Sequence, residues 1–353
     1  MVRPSRTIET SVVCRTGKFL MSFGTNTRYL AWQSRGMAKG TNTELQQGLA
    51  AVMETESITD LQRLSGGASR ETWRFKAGNS DYVLQRVRAG TVGGFQVEPR
   101  VLAVAHEAGV PVPELVIDGA NRTELGVPFM IVRAVEGETI ARKILRDDEY
   151  SRARGALTTQ LGIAAARLHQ VDPARVPGLV EDDQVNRYTT ILQDLGEPHP
   201  VFEAALRWLE RNRPDSAMSC IVHGDYRLGN MMVNSDGLAA VLDWEIAHIG
   251  DPMEDLGWLC VRAWRFGGAF PAAGVGTYDE LLDAYASVTG VRPDPDVLRW
   301  WEILGTMKWG IICISQAATH LTGIVRSHEL AAIGRRVCEN EYDLIDLLSK
   351  GPQ

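Results

Sequence analysis

The stretch His223-Gly224-Asp225-Tyr226-Arg227-Leu228-Gly229-Asn230, followed by Leu242-Asp243-Trp244-Glu245, decides how this chain is read. Between the two blocks lie Met231-Met232-Val233 and Ala239-Ala240-Val241-Leu242, two short apolar runs separated by the turn sequence Asn234-Ser235-Asp236-Gly237. Such a pattern predicts a hairpin, and a hairpin brings its two ends together. Asn230, just before the first strand, therefore belongs beside Asp243, just after the second. A carboxylate and an amide oxygen side by side suit a hard cation such as Mg²⁺. Asp225 sits on the same tight loop and supplies a second carboxylate. Phosphoryl transfer asks for such a set: a metal bridging phosphate oxygens, and a carboxylate to accept the proton of an attacking hydroxyl.

The order His-Gly-Asp-x-x-x-x-Asn with a later Asp parallels the H-R-D-x-x-x-x-N loop and metal-binding Asp of protein kinases. With Gly250-Asp251-Pro252 and Asp255-Leu256, it resembles the aminoglycoside phosphotransferase and choline kinase-like superfamily. Within that superfamily it is most similar to the branch containing the kinase-like domains fused to some acyl-CoA dehydrogenases. The resemblance runs from about Ser65 to Leu330. It implies that Asp225 is the catalytic base, that Asn230 and Asp243 bind magnesium, and that ATP and Mg²⁺ are the cofactors. It further implies that Asp255 holds the loops in place and that His223 anchors the catalytic loop.

The nucleotide side reads less sharply. Ser65-Gly66-Gly67-Ala68-Ser69 lies between two strand-like runs, where backbone amides can meet phosphates. In the run Tyr82 to Val87, residues two apart share a face. By resemblance that face looks at ATP, with Val83 against adenine and position 85 at the phosphates. Relatives carry Lys or Arg there, paired with a helix Glu that corresponds to Glu98. This chain has Gln85, so that ion pair is not expected to form unless Arg86 or another basic side chain bends in. Phe129 to Val135 resembles the hinge between lobes, with Arg133 and Val135 among the residues expected at the adenine.

Outward from the motif, the expected fold is α+β, protein-kinase-like and two-lobed. A small N-terminal sheet lobe with one long helix spans 43–135, and a larger, mostly helical lobe spans 136–353. Helices are expected from near Thr43, over Glu98 to Ala108, Ala156 to His169, Phe202 to Arg211, Tyr278 to Val288, Val297 to Thr319 and Leu330 to Leu348. Most of Trp258, Trp264, Trp300, Trp301 and Trp309 are expected in the core, with one or two left to line an acceptor pocket.

Residues 1–42 are rich in Arg, Ser and Thr and poor in acids. The composition matches an organelle transit peptide, but the preferred expectation is a disordered or spurious basic extension, with Met37 as the alternative start, on a cytoplasmic protein. Apolar content of 44% and charged content of 23% are ordinary for a globular chain, and a net charge of -7 argues against nucleic acid as a partner. The five cysteines are scattered without a CxxC pair, which points away from a disulfide framework or zinc site. Ile311 to Ile314 is too short to span a bilayer. No obligate protein partner is indicated; the expected partners are ATP and a small hydroxylated acceptor, a metabolite or a hydroxyacyl thioester. The alternatives are a catalytically weak nucleotide-binding protein, motivated by Gln85, and an aminoglycoside kinase. The second would need carboxylates for a polycation, with Glu254, Asp283 and Glu302 as candidates, yet Arg262, Arg265, Arg299 and Lys308 lie among them. A protein kinase is disfavoured by Gly in place of the loop Arg and by the lack of an A-P-E segment.

Overall fold

The computed structural model describes residues 39–66, 70–88, 95, 97–122, 124–215 and 218–350. Nearly all of the basic extension lies outside them, as do Gly67, Ala68 and Ser69 of the glycine-rich turn. The elements in chain order are α1 (Lys39–Val52), β1 (Ile58–Gly66), β2 (Arg70–Ala77), β3 (Ser80–Val87), α2 (Glu98–Glu107), β4 (Leu115–Gly119) and β5 (Phe129–Arg133). They continue with α3 (Ala141–Arg146), α4 (Ser151–His169), α5 (Gln184–Leu195), α6 (Pro200–Arg211), β6 (Cys220–Val222), β7 (Met231–Asn234), β8 (Gly237–Val241) and β9 (His248–Gly250). The last are α7 (Met253–Cys260), α8 (Tyr278–Thr289), α9 (Pro295–Leu321), α10 (His328–Gly334) and α11 (Val337–Ser349). This is the two-lobed kinase-like architecture the motif implies.

The N-terminal sheet is antiparallel throughout, in the order β1-β2-β3-β5-β4. Strand alternation divides its faces. Trp73, Phe75, Leu84, Phe129 and Ile131 pack on one face with Leu45 and Leu49 of α1. On the other face, Val132 joins and Val83 packs against a larger core that runs through α2, α4, α7 and α8. Register places Thr72 opposite Gln85 and Arg70 opposite Val87, so Arg70, Thr72, Val83 and Gln85 share the face turned toward the second lobe.

In that lobe α9 is the axis, buried from Leu298 to Gln316 over most of its length. Ile311 to Ile314 is thus the middle of a buried helix, and no described helix is long and apolar enough to cross a membrane. Asp294 caps its N-terminus by accepting from the Asp296 amide, and Pro295 opens the first turn. The chain end expected as one helix is two. Gly334, where a Cβ would fall 2.5 Å from that of Ala317, brings α10 tightly onto α9, and the helix is interrupted at Arg335 and Arg336 before α11 begins.

The approach of α7 to α9 is set by another glycine. A Cβ on Gly257 would lie 2.5 Å from Trp301 Cβ and 2.7 Å from the Trp301 carbonyl carbon. Gly257→Ala gains helix propensity, but overpacking against backbone outweighs it. The expected net cost is about 1–3 kcal/mol, read as a lower urea midpoint; an unchanged midpoint would show that the two helices can separate freely.

Candidate active site

The catalytic-loop residues converge as the hairpin geometry requires. β7 and β8 pair from Met231↔Val241 to Asn234↔Gly237, and the Leu242 amide donates to the Asn230 carbonyl at 2.8 Å. Asn230 and Asp243 therefore stand at the open end of one hairpin. Asp243 has φ of +69°, a left-handed conformation that Asp tolerates better than most residues.

The Asp225 carboxylate is held by three donors. Trp258 Nε1 lies 2.7 Å from Oδ1, Arg227 Nε lies 2.9 and 3.1 Å from the two oxygens, and Asn230 Nδ2 lies 2.7 Å from Oδ2. Asn230 Nδ2 also donates to the Asp225 carbonyl at 2.9 Å. With both acceptors on Nδ2, the amide orientation is fixed, and Oδ1 is left buried without a partner among the described residues. Arg227 is itself braced, its guanidinium 4.8 Å over the Trp264 ring.

Beneath the loop lies Asp255, fully buried on α7. Its Oδ2 accepts from the His223 amide at 2.8 Å and its Oδ1 from the Gly224 amide at 2.9 Å, while His169 Nε2 approaches Oδ2 at 3.1 Å. Burial alone would raise this carboxyl, but the hydrogen bonds and charge of His169, with those of His223, hold it below the usual carboxylate value. Gly224 is confined to this position: its φ is +79°, and a Cβ would lie 2.8 Å from the Ile246 carbonyl. His223 Nδ1 accepts from the Asp225 amide at 3.2 Å, and Nε2 donates to the Leu242 carbonyl at 2.9 Å. Burial lowers its pKa, and this bonding pattern suits a neutral ring that ties the loop to the hairpin.

Whether a divalent cation suits Asn230 and Asp243 can be tested on the groups around them. Burial, and then the neighbouring charges of Glu245, Asp225 and Glu98, push the Asp243 carboxyl well above its ordinary value. The orphaned Asn230 Oδ1 and this crowding of carboxylates both fit a hard cation. The described residues include no cluster of three or more His, Cys, Asp or Glu with metal-holding geometry. An ion here would take one carboxylate and one amide oxygen from the protein, a set Mg²⁺ commonly completes with phosphates and water.

On the sheet side, Val83 and Gln85 lie on the face toward the cleft, and Gln85 Oε1 is buried without a partner among the described residues. Ser65 and Gly66 end β1, opposite Thr72 and Glu71. Glu98 does have a cationic partner: Arg70 Nη1 lies 2.5 Å from its Oε2. Gln85 cannot supply this charge and Arg86 does not, because Arg86 lies on the opposite face in an ion pair with Glu71. Arg133 closes β5. Its amide donates to the Glu114 carbonyl at 2.9 Å, and its half-exposed side chain pairs with Glu114 and covers Tyr82. Val135, just beyond the sheet, makes no backbone hydrogen bond among the described residues, so its amide and carbonyl are available at the hinge.

Behind the loop is a second buried network. Lys308 Nζ lies 3.3 Å from both the Gly224 carbonyl and Glu254 Oε1, and 4.8 Å over the Trp258 ring. Glu254 Oε2 is 3.1 Å from His248 Nε2. Burial would depress the Lys308 ammonium, but Tyr188, Glu254 and Asp225 more than offset it. Arg227, Trp258 and Lys308 were not readable as loop supports. Trp258 had one available signal, since it follows Asp255 by one helical turn on α7 and so faces the same loop.

The fold and the loop together define a kinase-like phosphotransferase. The chain belongs to the phosphotransferase enzyme family, whose profile matches residues 60–301. It is 26% identical over 276 residues to acyl-CoA dehydrogenase family member 10 of Mus musculus, a match covering 70% of this chain and 26% of that one. The chain thus spans about a quarter of that relative's length. Among solved structures, it is similar to one described as a putative aminoglycoside phosphotransferase from Ralstonia eutropha, with a TM-score of 0.68 and 21% identity, covering 87% of this chain and 99% of that one. It is also similar to a thermostable mutant of aminoglycoside phosphotransferase APH(4)-Ia in ternary complex with AMP-PNP and hygromycin B, with a TM-score of 0.63 and 16% identity, covering 88% and 100%.

The support network has a pH signature. Burial opposes protonation of His248, but Glu254 beside it outweighs this and raises its pKa. A raised folded-state pKa means the folded protein holds the proton that the unfolded chain gives up. The stabilisation is therefore complete below about pH 6.5 and is lost as pH rises through the folded value. His248→Gln should flatten the fall in unfolding free energy between pH 6 and 9. Equal pH slopes for the two proteins in urea titrations would remove the charged pair from the account.

Proposed function

We propose that the protein is an ATP- and magnesium-dependent phosphotransferase that moves the γ-phosphate to a hydroxyl of a small molecule. The observation that carries the reading is the Asp225 carboxylate, fixed by Trp258, Arg227 and Asn230 beside the orphaned Oδ1 of Asn230 and the crowded Asp243. Asp225 accepts the proton of the acceptor hydroxyl as the oxygen attacks. Asn230 and Asp243 hold Mg²⁺, which when bound offsets the charge of the phosphates and orients them. Asp255 and Lys308 keep the loop from moving relative to the hairpin, and the amide and carbonyl of Val135 meet the adenine edge. That the APH(4)-Ia structure holds AMP-PNP and hygromycin B in the same fold supports a nucleotide and a small acceptor here.

The acceptor is a metabolite or a hydroxyacyl thioester rather than an aminoglycoside. The carboxylates that could have met a polycation are already engaged. Glu254 is buried against Lys308 and His248, Glu302 is buried against Arg265 and Tyr278, and Asp283 pairs with Arg292 at the surface. A cavity of about 350 Å³ is lined by Leu145, Arg146, Arg154, Phe266, Phe270 and Val275 among others, none of them on the loop from His223 to Asn230. A Cβ on Gly229 would lie 3.8 Å from the Phe266 ring, which ties this cavity to the loop. Its aromatic and cationic lining favours an acceptor with an apolar part and negative charge. The weak-binding alternative rests on the missing cation at position 85; the pairing of Arg70 with Glu98 on the same face of the sheet supports the active reading over it.

Two variants separate base from metal site. Asp225→Asn should keep nucleotide binding and lower turnover by roughly 10²–10⁴-fold; turnover at the wild-type rate would rule out Asp225 as the base. Asp243→Ala should abolish magnesium-dependent AMP-PNP binding in a calorimetric titration, because the carboxylate that neutralises the metal is gone. Normal binding by that variant would move the metal elsewhere.

A further inference from the structure

We infer that Arg70, at the start of β2, is the cation that binds the nucleotide phosphates in this chain, in the place that position 85 of β3 leaves uncharged. The inference rests on the nucleotide-binding reading above and adds to it the residue that receives the phosphates. Arg70 lies two residues from Thr72, the cross-strand partner of Gln85, so it stands on the same face of the sheet, one step closer to the glycine-rich turn. Its side chain bridges the two lobes: Nη1 meets Glu98 Oε2 of α2 at 2.5 Å, and Nε lies 3.6 Å from Glu245 Oε2, two residues beyond Asp243. The guanidinium sits 4.5 Å over the buried Phe95 ring, which fixes its plane.

These contacts engage Nη1 and Nε. A guanidinium has five N–H donors in a rigid fork, so it keeps donor capacity toward the cleft while Glu98 and Glu245 set its direction. Glu98 is almost fully buried; burial raises its carboxyl and Arg70 opposes that. The Glu98–Arg70 pair therefore does what a helix acid paired with a β3 lysine would do, with the cation carried by the neighbouring strand. Gln85, with a buried Oε1 and no charge, fills the vacated position. Arg70 is a binding residue for the phosphates, and Glu98 is its positioning residue.

The experiment compares AMP-PNP with magnesium against adenosine, by calorimetry or competition, in four proteins: wild type, Arg70→Gln, the double variant Arg70→Gln/Glu98→Gln, and the triple variant that adds Gln85→Lys. The double variant replaces a buried charged pair with a neutral one of similar shape, so it is expected to fold even if the single variant, which leaves Glu98 buried alone, does not. Loss of a charge-assisted fork should weaken AMP-PNP binding by about 10- to 100-fold while adenosine affinity stays at the wild-type value. Gln85→Lys should recover most of the lost AMP-PNP affinity, because it returns the charge from the adjacent strand. A purely structural Arg70 would lower both affinities together. Wild-type AMP-PNP affinity in the double variant would overturn the assignment while leaving the nucleotide reading intact. No binding of AMP-PNP or adenosine by the wild type would instead overturn the nucleotide reading, and this assignment with it.

Discussion

The candidate site depends on one buried carboxylate. Asp255 is wholly enclosed and receives the amides of His223 and Gly224 and the imidazole of His169. A buried carboxylate without donors is expensive, and these three donors offset the desolvation only when the loop and α4 are in register with α7. The loop therefore has a single low-energy position. Removing one partner from such a buried network typically costs about 3–5 kcal/mol, comparable with a large part of a domain's net stability. Everything above Asp255 inherits this constraint. Gly224 must be glycine, His223 must bridge to Leu242, and Asp225 is delivered to Trp258 and Arg227.

A second constraint comes from sheet geometry. Alternation on β2 and β3 sends Trp73, Phe75 and Leu84 under α1, which obliges Arg70, Thr72, Val83 and Gln85 to face the other lobe. Under the proposed reading, register then decides which side chains can act at the phosphates. Arg86 is adjacent to Gln85 in sequence yet cannot reach them, because it lies opposite Glu71 on the far face. Arg70 is more distant in sequence but only one cross-strand step away on the correct face. Nearness in a sheet is measured across strands rather than along the chain.

That distinction explains what could be read from the residues alone. The loop from His223 to Asn230, the hairpin and Asp243 are contiguous, and local turn chemistry suffices to bring their ends together. The long helices α2, α4, α6, α8 and α9 announce themselves through apolar spacing and bounding Gly or Pro. α5 was hidden because its sequence is largely polar, although Asp183 caps it and Gly196 ends it. A hinge-like run does not say which of its amides the sheet has already engaged, as it has that of Arg133. The Arg70–Glu98 pair depends on strand register and on the approach of α2 together, and no local pattern encodes either. Trp258 reaches Asp225 from the helix turn whose Gly257 lies close against α9.

The charges of the cleft, taken together, set the terms on which a nucleotide can enter under the proposed reading. Asp225, Asp243, Glu245 and Glu98 all contribute to one crowded negative field at Asp243. Two like charges about 6 Å apart at an effective dielectric near 20 repel by roughly 3 kcal/mol, so a bare triphosphate would meet opposition from this side of the cleft. Arg70 alone is a single charge already shared between two carboxylates, and it cannot cancel that field. A divalent cation at Asn230 and Asp243 changes the sign of the balance where the phosphates must lie, while Arg70 meets them from the sheet. The acids thus favour entry of the metal-bound nucleotide over the free one. On that reading, the same residues that crowd negative charge at Asp243 select for the form of the nucleotide that phosphoryl transfer requires.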